Sequence, residues 1–235
     1  MKISFIFCVY NEYKNLVSNL KKTEDYISNQ INDYEIVIID NNSNDGSVEF
    51  LRNYYSKKIK KYFNKKNIGK GGSTKIGLEN AQGEYIIIHD IDGEYDISDC
   101  FVCYNIALKT TSDVVIGSRI SKRNFIYKYN FYGVIFLTKL INILYFSELT
   151  DVASMPKLFE KNFISKINLY SNGFDLDFEL ITKSLLAGGK ITQVDVNYNP
   201  RSIEEGKKIR PIKDGLSCLI RILKDRLVSK SRIYK

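Results

Sequence analysis

Three short apolar runs, at residues 3–9, 34–39 and 85–89, and a short strand-like stretch at 61–64 are each followed by a cluster of polar residues, with helix-like stretches between them. This alternation is the strongest constraint on the fold. A run such as Tyr85-Ile86-Ile87-Ile88-His89 is rich in β-branched residues and lacks a polar face, as expected of a strand covered on both sides. Strands alternating with helices imply a mostly parallel sheet flanked by helices, with right-handed crossovers. The polar clusters then lie along one rim, outside the carboxyl ends of the strands. Helices are expected at 15–31, where Leu16, Leu20, Ile27 and Ile31 recur, and over Val48 and Leu51 after the turn at 43–47. Further helices are expected at 71–81 and 97–108, and a fifth strand at 113–116. The second half is less regular: a helix at 131–146, one at 175–186 stopped by Gly188-Gly189, a half-exposed strand at 191–198 and a basic amphipathic helix at 216–227. Neither a repeat nor a linker interrupts the 235 residues, so a single domain is expected.

Asp90-Ile91-Asp92 follows the 85–89 run. A strand interior does not tolerate unpaired carboxylates, so the chain must be leaving the sheet there. Alternation puts both carboxylates on one side with Ile91 turned away. Two carboxylates so placed suit a hard divalent cation, Mg²⁺ or Mn²⁺, that is also held by phosphates. The bland alternative is a strand end followed by a polar turn. The other three clusters are Tyr10-Asn11-Glu12, Asp40-Asn41-Asn42-Ser43 and Asn67-Ile68-Gly69-Lys70-Gly71. One such cluster is ordinary loop chemistry; four on one rim are better explained by a shared ligand. Tyr10 offers a face to a nucleobase and Asp40 can accept from base N–H groups. Gly69 and Gly71 would admit a ligand close to the backbone, and Lys70 adds positive charge. G-x-x-x-x-G-K-[ST] is absent, and the first strand does not lead into G-x-G-x-x-G.

Phe7-Cys8-Val9-Tyr10-Asn11-Glu12, the 39–47 segment, Asn67-Ile68-Gly69-Lys70-Gly71 and Asp90-Ile91-Asp92 resemble the ordered motifs of family 2 glycosyltransferases. Gly117-Ser118-Arg119 and Tyr198-Asn199-Pro200-Arg201 with Gly206-Lys207-Lys208 look like the dolichyl-phosphate mannose synthase branch. The resemblance implies a GT-A fold, an inverting mechanism and a Mg²⁺ or Mn²⁺ ion on the diphosphate of a nucleoside-diphosphate sugar. It divides the chain into a nucleotide-binding half, 1–119, and an acceptor-side half, 120–235. By position, Cys8, Tyr10, Glu12 and Asp40 would line the nucleoside pocket, Asp90 and Asp92 would hold ribose and metal, and Arg119 and Arg201 would meet phosphates. Two departures stand out: Cys8 replaces a usual proline, and Asn41-Asn42 replaces a common Asp-Gly.

A departing diphosphate gathers charge, which a cation and Arg or Lys side chains stabilise most in the transition state. A lipid-phosphate acceptor is already ionised and needs no base; a glycan hydroxyl does. Asp177 and Glu179, at the start of the 175–186 helix, are the candidate bases, with helix-dipole acids as the plain alternative. Arg119 is either a surface ion pair or a phosphate ligand. Lys207 and Lys208 belong either to a solvated loop or to one that orders over a diphosphate.

Net charge is +8, and +7 of it falls from Arg201 onward, where eleven Lys/Arg face four acids. That segment is either a solvated tail or contacts an anionic membrane peripherally. Nucleic acid is not an expected partner; a nucleic-acid-binding module has only the basic end in its favour. A sugar nucleotidyltransferase should open with a glycine- and arginine-rich loop, which Tyr10-Asn11-Glu12 is not. Cys100 and Cys103 lack the second pair of a zinc site, and with Cys8 and Cys218 they are expected as reduced thiols in a cytoplasmic protein. Met1-Lys2 leads straight into a strand without a leader pattern. The 131–146 stretch, broken by Lys139 and Asn142, is too short to span a bilayer and is expected to be buried or to lie at a membrane surface. His89 is expected in the core.

Overall fold

The computed structural model describes residues 2–121, 128–202, 208, 210–227 and 233–235. Seven strands form one sheet in the order β3-β2-β1-β4-β6-β5-β7. They are β1 (Ile3–Val9), β2 (Tyr34–Asp40), β3 (Ile59–Phe63), β4 (Tyr85–His89), β5 (Val114–Ser118), β6 (Lys157–Glu160) and β7 (Ile191–Asp195). Every neighbouring pair is parallel except those of β6, which runs against both β4 and β5. The helices are α1 (Tyr13–Gln30), α2 (Ser47–Asn53), α3 (Gly69–Asn80), α4 (Ser98–Thr110), α5 (Lys128–Tyr145), α6 (Lys161–Ile164), α7 (Leu176–Leu186) and α8 (Pro211–Leu227). The expected elements of the first half are present. Neither β6 nor α6 was anticipated, α8 starts five residues earlier than 216, and β7 stops at Asp195 rather than 198.

Period-two alternation sorts the strand residues onto two faces. Phe5, Phe7 and Val9 face α1 and α4, packing with Leu16, Leu20, Cys100 and Cys103. Ile6, Val37, Ile86 and Ile88 face the other way, toward Ile141, Leu180 and Ile222 of α5, α7 and α8. Cys100 and Cys103 are therefore core thiols, as expected, and all four cysteines are free. His89 is also buried, edge-on to Phe7.

The register aligns the rim. Val9 pairs with Asp40, Asp40 with Phe63, Phe7 with His89 and Ser118 with Asp195. Because β6 is antiparallel, its first residue, Lys157, pairs with Ile88 and Ile116 at that same edge. Loop-to-loop hydrogen bonds fix the rim further. The Asn11 Oδ1 accepts from the Asn44 amide, the Ser43 hydroxyl accepts from the Asn11 amide, and Asp45 caps the start of α1 by accepting from Tyr13. Asn41 takes the amide of Ile68 and the side chain of Asn64, and donates to Asn67. Asn42 adopts a left-handed φ of 66°, a conformation asparagine tolerates better than most residues, so this position works without the common glycine.

Candidate active site

A cavity of ≈ 920 Å³ opens along the rim. Cys8, Tyr10, Glu12, Gly69, Lys70, Asp90, Asp92, Arg119, Asp177, Arg201 and Lys208 all line it. The topology thus gathers residues from six separate loops and helix starts.

Its centre is a chain of alternating charges. Lys70, on the first turn of α3, donates to Asp90 at 2.9 Å and stands 4.0 Å from Asp177 on α7. The other Asp177 oxygen accepts from Lys157 at 3.1 Å, and the wholly buried Lys157 ammonium also donates to the Ser154 carbonyl at 2.7 Å. Burial pushes Lys157 below the usual lysine range. Burial also opposes ionisation of Asp90, but Lys70 outweighs it and holds that carboxyl below its usual range. Asp92 goes the other way: burial first, then the Asp90 charge, push it up to about 6. Arg201 pulls against this at 2.6 Å, but it divides its charge among Asp92, Glu12 at 3.0 Å and Glu94 at 3.7 Å. Ile91 is buried on the far side, so the two carboxylates share a face as expected.

Lys208 pairs with Glu12 and stands 5.9 Å from the centre of the Tyr10 ring. Arg119 is clasped by Asp151, with Nε to Oδ2 at 2.7 Å and Nη2 to Oδ1 at 2.9 Å, and lies 5.2 Å from the Tyr198 ring centre. The Cys8 thiol faces Thr74 at 3.3 Å, and burial pushes it up to about 12, so it is not a thiolate nucleophile.

Two expectations need correction and a third needs an addition. Glu179 is not at the cavity. Its oxygens accept from Lys183 at 2.7 Å and from the amides of Tyr170 and Ser171, and it is fully buried between α7 and α8. Residues two apart on a helix point to opposite sides, so Asp177 and Glu179 could not have shared a site. Asp40 sits behind the wall rather than in it. One oxygen accepts from the Ser43 amide, and the other is buried without a hydrogen-bond partner among the described residues. Finally, Gly69 does line the cavity, and the glycines of the third cluster are also required by the protein itself. A Cβ on Gly69, whose φ is +82°, would lie 2.1 Å from the Asn172 carbonyl oxygen, and one on Gly71 would lie 2.7 Å from that of Gly173. Gly69→Ala should therefore lower stability by at least ~1–2 kcal/mol from backbone strain alone, with the clash adding to it, as read from urea denaturation midpoints. Lys207 lies outside the described residues.

Lys157, Glu94 and Asp151 carry part of the site and were not anticipated. Lys157 belongs to a four-residue strand without periodicity. Glu94 accepts from the Arg201 amide and the Tyr198 hydroxyl, tying the 198–201 segment to the rim. Asp151 was legible only as part of a polar stretch.

The fold and rim together define a GT-A glycosyltransferase. The model for glycosyl transferase family 2 matches residues 4–167, and the chain belongs to that family. The chain is 37% identical over 115 residues to a cholesterol galactosyltransferase of Borreliella burgdorferi, covering 48% of this chain and 31% of that protein. It is 25% identical over 255 residues to a dolichyl-phosphate beta-glucosyltransferase of Dictyostelium discoideum, covering 99% and 76%. The chain thus spans about a third of the first relative and three quarters of the second. Among solved structures, glucosyl-3-phosphoglycerate synthase from Mycobacterium tuberculosis, in complex with Mn²⁺, UDP and glucosyl-3-phosphoglycerate, superposes with a TM-score of 0.70 at 13% identity, covering 98% and 81%.

Proposed function

We propose that this chain transfers a sugar from a nucleoside diphosphate to a polyprenyl-phosphate or related lipid acceptor, with Mg²⁺ or Mn²⁺ on the diphosphate and inversion at the sugar carbon. The observation that carries it is the construction of the cavity. One end is the charged rim with the paired carboxylates; the other, at the starts of α5 and α8, is mainly apolar, lined by Phe131, Val134, Leu137, Pro211 and Ile212 with Asn130, Arg210 and Asp214 among them. Relatives named for dolichyl-phosphate and sterol acceptors support a lipid at that end.

The rim suits a cation carried in with the donor. Among the described residues, no group of three or more His, Cys, Asp and Glu could hold an ion by itself. Asp90 and Asp92 provide two oxygen ligands, and a magnesium-like ion usually takes one or two carboxylates plus substrate phosphates. Bound there, the ion would supply Lewis-acid stabilisation of the leaving diphosphate. The chain's own groups do the rest. Arg201 and Lys208 are placed to meet phosphate oxygens at the rim, and Tyr10 offers its ring to the base. Residues 1–119 bring the donor side and 120–235 the acceptor side.

Asp177 is engaged by two lysines, so a role as base would require one of them to let go. This favours an acceptor that is already ionised over a glycan hydroxyl. No described helix is long and apolar enough to cross a membrane. Phe136, Ile143, Leu216 and Leu227 are nevertheless exposed on α5 and α8, beside Lys139, Lys213 and Lys224. Such a surface fits peripheral contact with an anionic bilayer at the cytoplasmic face.

A thermal-shift panel of nucleoside diphosphates, with and without Mn²⁺, tests the donor side. One diphosphate together with Mn²⁺ should raise Tm by more than the sum of their separate effects, because ligand binding stabilises by mass action. No shift with any diphosphate would overturn the proposal.

A further inference from the structure

Two glycines meet no packing or backbone demand for glycine among the described residues. Gly133 on α5 and Gly215 on α8 lie inside helices, where glycine costs about 1 kcal/mol relative to alanine. The helical glycines of α3 are forced by packing: a Cβ on Gly71, Gly72 or Gly77 would meet another atom at 2.7, 2.9 or 2.5 Å. Among the described residues, a Cβ on Gly133 or Gly215 would meet nothing within 4 Å, and neither residue has a positive φ. Among the described glycines they alone have neither constraint.

Both line the apolar arm of the cavity. The two helices are joined further along, where the Tyr145 hydroxyl donates to the Ile222 carbonyl at 2.6 Å. Their first turns instead border the cavity, with Val134, Leu137 and Ile212 among its lining. This arm is continuous with the charged rim at Asp177 and Arg210, and Tyr129 and Ile212 stand 92% and 90% exposed beside it. A ligand filling both ends has a polar oxygen at the rim and a hydrocarbon body leading outward between the helices.

We infer that Gly133 and Gly215 hold open a slot for the acceptor's isoprenoid hydrocarbon, and so set which lipid body the enzyme accepts. The inference rests on the lipid-acceptor proposal above and deepens it. A side chain at either position would project into the slot without meeting any described residue.

The test uses Gly133→Leu and Gly215→Leu with three acceptors: undecaprenyl phosphate, dimethylallyl phosphate, whose hydrocarbon is too short to reach the slot, and cholesterol. Gly133→Ala and Gly215→Ala serve as smaller probes should a leucine prevent folding. Urea midpoints at or above that of the wild type verify the fold. The ratio of kcat/KM for undecaprenyl phosphate to that for dimethylallyl phosphate should fall at least ~10-fold in the leucine variants, mainly through KM, and less in the alanine variants. If cholesterol is the lipid that the wild type uses, its KM should rise in the same order. A wild type that uses a lipid acceptor, with kinetics unchanged in folded variants, overturns the slot and leaves the lipid-acceptor proposal standing. A wild type that glycosylates only water-soluble acceptors overturns both.

Discussion

Asp92→Asn should abolish transfer while making the ligand-free protein more stable. Loss of one carboxylate at a charge-stabilising centre should reduce kcat on the order of 10²–10³-fold or more. The stability gain follows from the raised proton affinity of Asp92, from 3.8 to about 6. The folded chain holds that proton more tightly than the unfolded chain does. Wild-type stability from this group is therefore full below about pH 4 and is lost as pH rises through about 6. At neutral pH the ionised carboxylate costs roughly 3 kcal/mol. Asparagine escapes that cost. The pull of Arg201 is already contained in that proton affinity, so a net gain of about 2–3 kcal/mol is expected. Urea melts of both proteins at pH 4 and pH 7.5 check the sign: the difference should be near zero at the lower pH and open at the higher one. Added Mn²⁺ with a nucleoside diphosphate should stabilise the wild type and leave the variant almost unmoved. A variant less stable than wild type at pH 7.5 would show that Asp92 is there to hold Arg201.

Asp177→Asn should be the most damaging single change to folding at the site. It leaves the Lys157 ammonium, which is 0% exposed, with only the Ser154 carbonyl as a strong partner. Breaking a buried ion pair from one side typically costs about 3–5 kcal/mol. Lys157 is already pushed below its ordinary range by burial, and loss of Asp177 pushes it further. The unfolded chain then binds more protons than the folded one, so the variant should recover stability as pH is raised toward 10. Lys157→Met combined with Asp177→Asn should restore most of the loss at neutral pH, because a well-packed apolar chain replaces the stranded charge. The double variant also separates anchoring from catalysis. If it folds and still transfers sugar, Asp177 is no general base; if it folds and is inactive toward a hydroxyl acceptor alone, Asp177 is one.

Most of the architecture of the first half was legible because two signals coincided. Parallel strands covered on both faces leave unbroken apolar runs, and the polar residues that end those runs mark the rim. Asp90, Asp92, Tyr10 and Lys70 were found that way, and the cavity brings them together. The second half carried weaker signals. β6 is four residues long and begins with a buried lysine, which looks like surface until its aspartate partner is placed beside it. Asp177 was visible and its burden was not, since nothing local to the chain tells Lys157 to approach it from another strand. Glu179 could have been rejected from helix geometry alone. The glycines at 69 and 71 were noticed for a ligand and turn out to be packed against the chain's own 172–173 backbone, a contact that spans about a hundred positions of sequence.

Arg201 gives the rim an unusual accounting. Its guanidinium already occupies Asp92, Glu12 and Glu94, so on the proposed reaction a donor arrives to swap companions rather than to fill a void. A metal on Asp92 alone would leave that guanidinium with Glu12 and Glu94 only, and a diphosphate alone would have to draw it away from three anions. Arriving together, each supplies what the other displaces. On that proposal, such a rim would favour the pair over a loose cation or a stray phosphate.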